Sequence, residues 1–279
     1  MTPGQLERSM AALLGSASEA RWVVAHALAA GGGDDRVCAR ARELAEARLR
    51  GEPLQYVLGE WSFRTLELTV DRRALIPRPE TEQVVEAALD VLGARSDPVV
   101  VDVGTGSGAI ALAVAAERPG AVLWASDADP VALELAAENV ARVDRAVPGV
   151  EARVRLVPGS WFDPFPDALR GQVDLVVSNP PYVSPEEWGA LDPEVRCEPF
   201  GALVSGPGSD GTPGFAGVEA VVTGAVPWLA RHGAVVVEIA PHQAGAAVSA
   251  ARRAGLAEVR VAPDLAGRSR AVVGRVPTP

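Results

Sequence analysis

The sequence predicts an α/β fold, an open and mostly parallel sheet with crossover helices, preceded by a small helical N-terminal domain and a hairpin connector. Three observations point there. From Glu80 onward short apolar runs alternate with segments of helical periodicity, the pattern of strands joined by crossover helices. The first of these runs ends in a glycine cluster that opens a helix. The first fifty residues, by contrast, carry helical spacing only.

Taken in order, Leu6, Met10, Leu13 and Leu14 recur at helical intervals, as do Trp22, Val23, Ala25, His26 and Ala29. Gly31-Gly32-Gly33 breaks the pattern. A third helix is expected from about residue 36 to 49, where Gly51 and Pro53 stop it. Over residues 54–76, Phe63, Leu66, Leu68 and Val70 are interleaved with polar residues, which predicts a short hairpin, and Pro77 and Pro79 mark a hinge. The expected division is a helical domain over 1–53, a connector over 54–79 and the α/β domain over 80–279. In the last, a helix over about 80–93 leads to a strand at 99–103, the glycines, a helix at 109–117, a strand at 122–126 and a helix at 130–143. Strands follow at 152–157, 173–178, 234–239 and 256–261, and one at 270–275 is expected to close the sheet. The stretch 206–217, rich in Gly, Pro and Ser, reads as a long surface loop.

Composition narrows the function. The 279 residues carry 26 basic and 36 acidic side chains, a net charge of −10, and every basic residue is arginine. An excess of acid argues against a protein that grips a phosphate backbone through many cationic contacts. The absence of lysine removes Schiff-base chemistry and any lysine-dependent phosphate loop. Cys38 and Cys197 form no CxxC pair, and His26, His232 and His242 have no metal-ligand spacing, so no metal site is expected. With no signal segment and no run of about 18 apolar residues, a soluble, cytoplasmic protein is expected, with no membrane contact.

The glycine loop is Gly104-Thr105-Gly106-Ser107-Gly108. Its glycines let the backbone turn sharply and approach a ligand, and the helix behind it presents free N–H groups. The spacing fits a dinucleotide fingerprint and an S-adenosylmethionine loop equally well. Asp127, at the end of the next strand, suits either cofactor, because a carboxylate there can accept both ribose hydroxyls. The choice comes from Asn179-Pro180-Pro181-Tyr182, directly after the strand at 173–178 and so at the sheet edge where ligands bind. The Asn179 side-chain oxygen and the Pro180 carbonyl are two acceptors stiffened by proline, able to hold the two hydrogens of a planar –NH2 group. Held that way, a delocalised nitrogen is pyramidalised and aims its lone pair at a sulfonium methyl. Tyr182 offers a ring face to the flat substrate group. The pattern reads as methylation of a planar –NH2 nitrogen from S-adenosylmethionine.

These motifs occur together with Leu75-Ile76-Pro77-Arg78-Pro79-Glu80-Thr81-Glu82 in a known family, and the sequence resembles the HemK/PrmC peptide chain release factor N5-glutamine methyltransferases. The segment 53–60 with Phe63, Glu198-Pro199 and the stretch 264–268 match the family as well, so that the resemblance covers about residues 50–275. It implies a Rossmann-like methyltransferase fold with a seven-stranded sheet. It also implies that residues 104–108 line the methionine and ribose of the cofactor, that Asp127 binds the ribose, that Trp161 packs on the adenine, and that residues 179–182 hold the glutamine of a release factor's Gly-Gly-Gln tip. The protein substrate would be a release factor and the enzyme a monomer without direct nucleic acid contact, the N-terminal helices meeting the partner. Without the resemblance Trp161 reads as a half-buried core aromatic, and Arg78 as an ion pair with a neighbouring Glu. The sequence departs from the family at Ser160, where many members are acidic, at Arg64-Thr65, where a Gly is usual, and at Ala240, again in place of Gly. The departures leave open another protein substrate. The shared Asn-Pro-Pro-Tyr leaves open adenine-N6 methylation of nucleic acid. A nicotinamide dehydrogenase, which the glycine loop alone would allow, lacks a proton-transfer His or a Tyr-Lys pair. A binding-only protein would show no turnover.

Overall fold

In the computed structural model, which describes residues 1–277, the N-terminal helices begin where the sequence offers caps. Helix α1 (Pro3–Leu14) starts at Thr2, whose hydroxyl accepts the Gln5 N–H while the Gln5 side chain returns to the Thr2 N–H. Ser16 caps α2 (Ala17–Ala29) in the same way through the Glu19 N–H, and α3 spans Asp34–Leu49. Leu6, Met10, Val23, Val24 and Leu44 are buried between the three. The segment expected to be all hairpin opens with a short helix, α4 (Leu54–Leu58), because Leu54, Val57 and Leu58 complete the apolar face of α1–α3. The hairpin proper is β1 (Glu60–Phe63) paired with β2 (Leu66–Thr69). Phe63, Leu66 and Leu68 belong to the core of the sheet, so the hydrophobic clusters change between Leu58 and Phe63.

Next come α5 (Thr81–Leu92), β3 (Val99–Val103), α6 (Ala109–Glu117), β4 (Val122–Asp127), α7 (Pro130–Ala146), β5 (Val154–Pro158) and β6 (Val173–Ser178). They are followed by the single turns α8 (Pro185–Trp188) and α9 (Phe200–Leu203), then α10 (Ala216–Gly224), β7 (Leu229–Glu238), α11 (Ala244–Arg253), β8 (Ala257–Pro263) and β9 (Ser269–Arg275). Among the described residues the sheet has seven strands in the order β5-β4-β3-β6-β7-β9-β8. The first five are parallel, and β9 runs antiparallel to both its neighbours. The last strand therefore does not close the sheet as expected: it inserts between β7 and β8, buried from Arg270 to Gly274, and leaves β8 at the edge. Val100, Leu175, Val177, Ala234 and Val236 point to the face covered by α5, α6 and α7, while Val101, Val176, Val235 and Val237 point to the face covered by α10 and α11. Burial on both faces is why these strands read as continuous apolar runs.

The stretch 206–217 is not a plain surface loop. Phe215 is fully buried, α10 begins at Ala216, and the buried Gln243 side chain donates to the carbonyls of both Pro213 and Tyr182. Pro207, Ser209 to Gly211 and Pro213 are exposed and fit the expectation. From β3 the chain winds outward to β4 and β5, then crosses to the other side of β3 as β6. That reversal opens a crevice at the carboxyl ends of β3 and β6, the place where open α/β sheets bind ligands.

Candidate active site

Both sequence motifs emerge at that crevice. The glycine loop leaves β3, with Gly104, Gly106 and Gly108 all at positive φ (73°, 56° and 84°). At Gly108, the N-cap of α6, a side chain would be doubly excluded, since an added Cβ would also lie 3.2 Å from Leu112 Cδ1. The Gly104 and Thr105 N–H groups donate to the Ser126 carbonyl at 2.8 and 2.9 Å, fastening the loop to the end of β4. Asp127, the next residue, accepts from the Gly106 N–H at 2.8 Å and the Asp129 N–H at 2.9 Å. Burial pushes the Asp127 carboxyl above its ordinary range, and these backbone donors work against the shift. Beneath the loop Asp102 is fully buried, and one of its oxygens accepts from Thr105 Oγ1 and the Ala111 N–H. Its other oxygen has no partner among the described residues, and desolvation drives its pKa up to about 7.

A cavity of about 510 Å³ lies over this loop. Gly104 to Ser107, Asp127, Trp161 and Asn179 line it, so six of the expected cofactor positions and Asn179 share one wall system, while Gly108 stays behind in the α6 turn. Trp161 also packs against the apolar cluster on the α10–α11 side, as the reading of a half-buried core aromatic expects, and part of it lines the cavity. It sits at φ 47°, held there as its carbonyl accepts from Ser126 Oγ at 3.0 Å. Leu75 and Pro77, in the expected hinge, form part of the wall. That stretch is anchored by Glu198, which accepts from the Ile76 N–H at 2.9 Å and pairs with Arg78. The partner of Arg78 is therefore far from it in sequence and buried.

Asn179 also borders a second, narrow pocket of about 30 Å³, shared with Pro180, Pro181, Tyr182, Leu75 and Arg78. All the residues expected to hold the substrate thus adjoin the large cavity through Asn179. The Asn179 amide donates through Nδ2 to Thr81 Oγ1 at 3.2 Å, and its Oδ1 accepts nothing among the described residues. Thr81 in turn donates to Glu238 Oε2 at 2.7 Å, and the Tyr182 hydroxyl donates to Glu238 Oε1 at 3.1 Å. Glu238 is fully buried, with its pKa pushed up to about 7 by desolvation.

Thr81, Glu238 and Gly217 are site residues that the sequence reading missed. Thr81 stands inside the quoted Pro-Arg-Pro-Glu-Thr-Glu segment, and Glu238 is the one charge in the run 234–240; each was a visible signal. Gly217 carried none. It abuts the Pro181 carbonyl so closely that an added Cβ would lie 2.7 Å from that oxygen and 3.4 Å from the Trp161 indole.

Comparisons with known proteins bear on the family and the fold. A family model described as the methyltransferase small domain matches residues 82–190, from α5 through the glycine loop to the segment after Tyr182. The release factor glutamine methyltransferase of Cereibacter sphaeroides is 41% identical over 240 residues, covering 86% of this chain and 80% of its own. That of Burkholderia pseudomallei is 39% identical over 242 residues, covering 86% and 82%. A solved methyltransferase from Pyrococcus furiosus shares the fold, with a TM-score of 0.51 at 17% identity over 77% of this chain and 90% of that one. Identity of about two fifths sustained over most of both chains leaves one conclusion: the chain belongs to the release factor glutamine methyltransferase family.

Proposed function

We propose that the protein methylates N5 of the glutamine in the Gly-Gly-Gln tip of a peptide chain release factor, with S-adenosylmethionine as donor. The observation that supports this most directly is the Asn179 amide. Its donor end is occupied by Thr81, so the end left for a ligand is the acceptor, Oδ1. Beside it the Pro180 carbonyl is a second acceptor on a stiff turn. Two fixed acceptors suit the two N–H bonds of a primary amide and do not suit a hydroxyl or carboxylate acceptor.

The cavity fits the cofactor. Its volume falls in the range of about 300–1,000 Å³ usual for small-molecule sites, and Asp127 and Trp161 offer an acceptor for hydroxyls and a face for a base. S-adenosylmethionine supplies an electrophilic methyl group on a sulfonium centre when bound. Residues 104–108 would cradle its amino-acid and ribose parts, Asp127 would accept the ribose hydroxyls, and Trp161 would pack on the adenine. Ser160 lies on the same cavity wall, where its hydroxyl replaces the family's usual acidic residue. The contribution of Asn179 and Pro180 is orientation: they fix the amide nitrogen with its lone pair exposed, and proximity and preorganised dipoles lower the barrier. Tyr182 stacks its ring beside the amide while Glu238 fixes its hydroxyl. Glu238 behind these groups is engaged by Thr81 and Tyr182, and no general base is required, because the alkylated amide loses its proton readily to water.

Labelled methyl transfer tests the reading. Wild-type protein is expected to label release factor and to leave unlabelled a release factor whose tip glutamine is replaced. Equal labelling of the two would contradict the assignment.

A further inference from the structure

Glu238 ends β7, next to β6, whose continuation carries Asn179. An ionised carboxylate can only accept hydrogen bonds, so both hydroxyls that reach it must donate. Thr81 has a single proton. Once it is given to Glu238 Oε2, the Thr81 oxygen offers only lone pairs to Asn179. One orientation of the Asn179 amide then satisfies the bond: –NH2 inward to Thr81, oxygen outward to the two pockets. The reverse orientation would set two acceptors against each other inside and present a donor to the substrate's own N–H groups.

We propose that Glu238, acting through Thr81, sets the polarity of the Asn179 amide and so decides that an amide –NH2, rather than an acceptor group, is what the site can hold. Glu238 and Thr81 are positioning residues; neither touches the reacting atoms. The inference rests on the reading of Asn179 as the holder of the substrate amide. By binding the Tyr182 hydroxyl as well, the same carboxylate anchors both ends of the Asn179–Tyr182 turn to one buried point.

The relay works in this sense only while Glu238 is ionised, since a protonated carboxyl could donate to Thr81 and release the amide to turn. Several groups face it. Arg270 Nη1, from β9, lies 3.9 Å away and favours the charged form, as do the Thr81 and Tyr182 hydroxyls, whereas Glu80 disfavours it. Asp264 pairs with Arg270 from behind at 3.3 Å, and Arg268 pairs with Glu80 and Asp264. Desolvation outweighs the favourable contacts and leaves the group titrating at about pH 7. Activity is therefore expected to fall on the acid side of neutrality.

The test is steady-state methylation of release factor by wild-type protein and by Thr81→Val, Thr81→Ser and Glu238→Gln, with kcat and KM followed from pH 5.5 to 9, as well as S-adenosylmethionine affinity by calorimetry and thermal melting. Thr81→Val is expected to lower kcat by about tenfold or more, the cost of a misdirected hydrogen bond. Glu238→Gln, whose amide oxygen can still accept from Thr81, is expected to lose the acidic limb of the profile, and both variants to keep cofactor affinity within about twofold of wild type. Thr81→Ser, which keeps the hydroxyl, is expected to restore kcat, and the acidic limb of the wild-type profile is expected to vanish in Thr81→Val. Wild-type kcat in folded Thr81→Val, or an acidic limb that survives in Thr81→Val or in Glu238→Gln, would overturn the relay. Wild-type protein inert toward release factor would instead overturn the substrate reading, and the relay with it.

Discussion

At the scale of single residues the site works through which end of each polar group is free. Asn179 has its nitrogen occupied and its oxygen open, so truncating it removes the acceptor proposed to hold the substrate amide. Asn179→Ala is expected to lower kcat by about a hundredfold, roughly 3 kcal/mol, with the cofactor still bound. Asp127 is proposed to act on the cofactor. It holds the Gly106 N–H while leaving its carboxylate on the cavity wall, so Asp127→Ala is expected to weaken S-adenosylmethionine binding by at least about tenfold in a calorimetric titration. Unchanged affinity would remove Asp127 from the ribose site. Gly217 tests the packing behind the turn. A methyl there meets the Pro181 carbonyl at 2.7 Å, backbone that cannot swing aside, and Gly217→Ala is expected to reduce kcat although it adds only one carbon. A fully active Gly217→Ala enzyme would show that the turn tolerates displacement.

At the scale of elements, what was legible in the sequence was whatever has a period or a punctuation mark. The apolar runs of β3, β4, β6 and β7 and the capped helices of the first fifty residues were readable because burial on both faces, or on one stripe, leaves a pattern. The same holds for the glycine loop and the Asn179–Tyr182 turn. The place of β9 was not readable, since strand order follows from packing between segments and not from any one of them. Nor was the burial of Gly214, Phe215 and Gly217, in a stretch where Gly and Pro serve close approach to Tyr182 and resemble loop residues in composition. Five-residue α4 is too short to show a period. The connector also explains one departure from the family. Arg64 stands at φ 52°, the region that favours the usual Gly, and its guanidinium pairs with Glu86 and Glu117 across α5 and α6. The ion pairs offset the strain of a side chain in that conformation, about 1 kcal/mol or more. Arg64→Ala is therefore expected to destabilise the protein by about 1 kcal/mol more than Arg64→Gly in urea unfolding, because alanine keeps the strain and loses the pairs. Equal losses would mean that the turn is not strained. Ala240, by contrast, sits at φ −69°, a conformation open to any residue, so the missing Gly there costs nothing in the backbone.

At the scale of the whole molecule two features link distant parts. Arg48 of α3 pairs with Glu19 of α2 and with Glu194, in the segment that runs to Glu198 and the cavity wall. The N-terminal helices thus adjoin the strand-to-helix segment beside the site, which supports the proposal that they help to receive the protein substrate. The second feature is the pair of buried carboxyls, Asp102 under the glycine loop and Glu238 under Asn179, both raised to about 7 from ordinary values of 3.8 and 4.5. A carboxyl raised by folding binds its proton more readily in the folded state. The stability it contributes is fully present below its unfolded value and is lost as pH rises through the folded one. The melting temperature is therefore expected to fall between pH 6 and 8 while methylation rises over the same interval, as Glu238 ionises. Melting that rises from pH 6 to 8 would contradict the account of the two carboxyls.

The central claim, that Asn179 presents acceptors to a protein amide at the edge of an S-adenosylmethionine cavity, is tested most directly by one transfer measurement. Labelled S-adenosylmethionine is offered to the enzyme with intact release factor, with the same factor carrying a replaced tip glutamine, and with DNA. The account predicts label in the first alone, at a rate that Asn179→Ala cuts about a hundredfold. Label in the DNA, or equal label in both release factors, would contradict it.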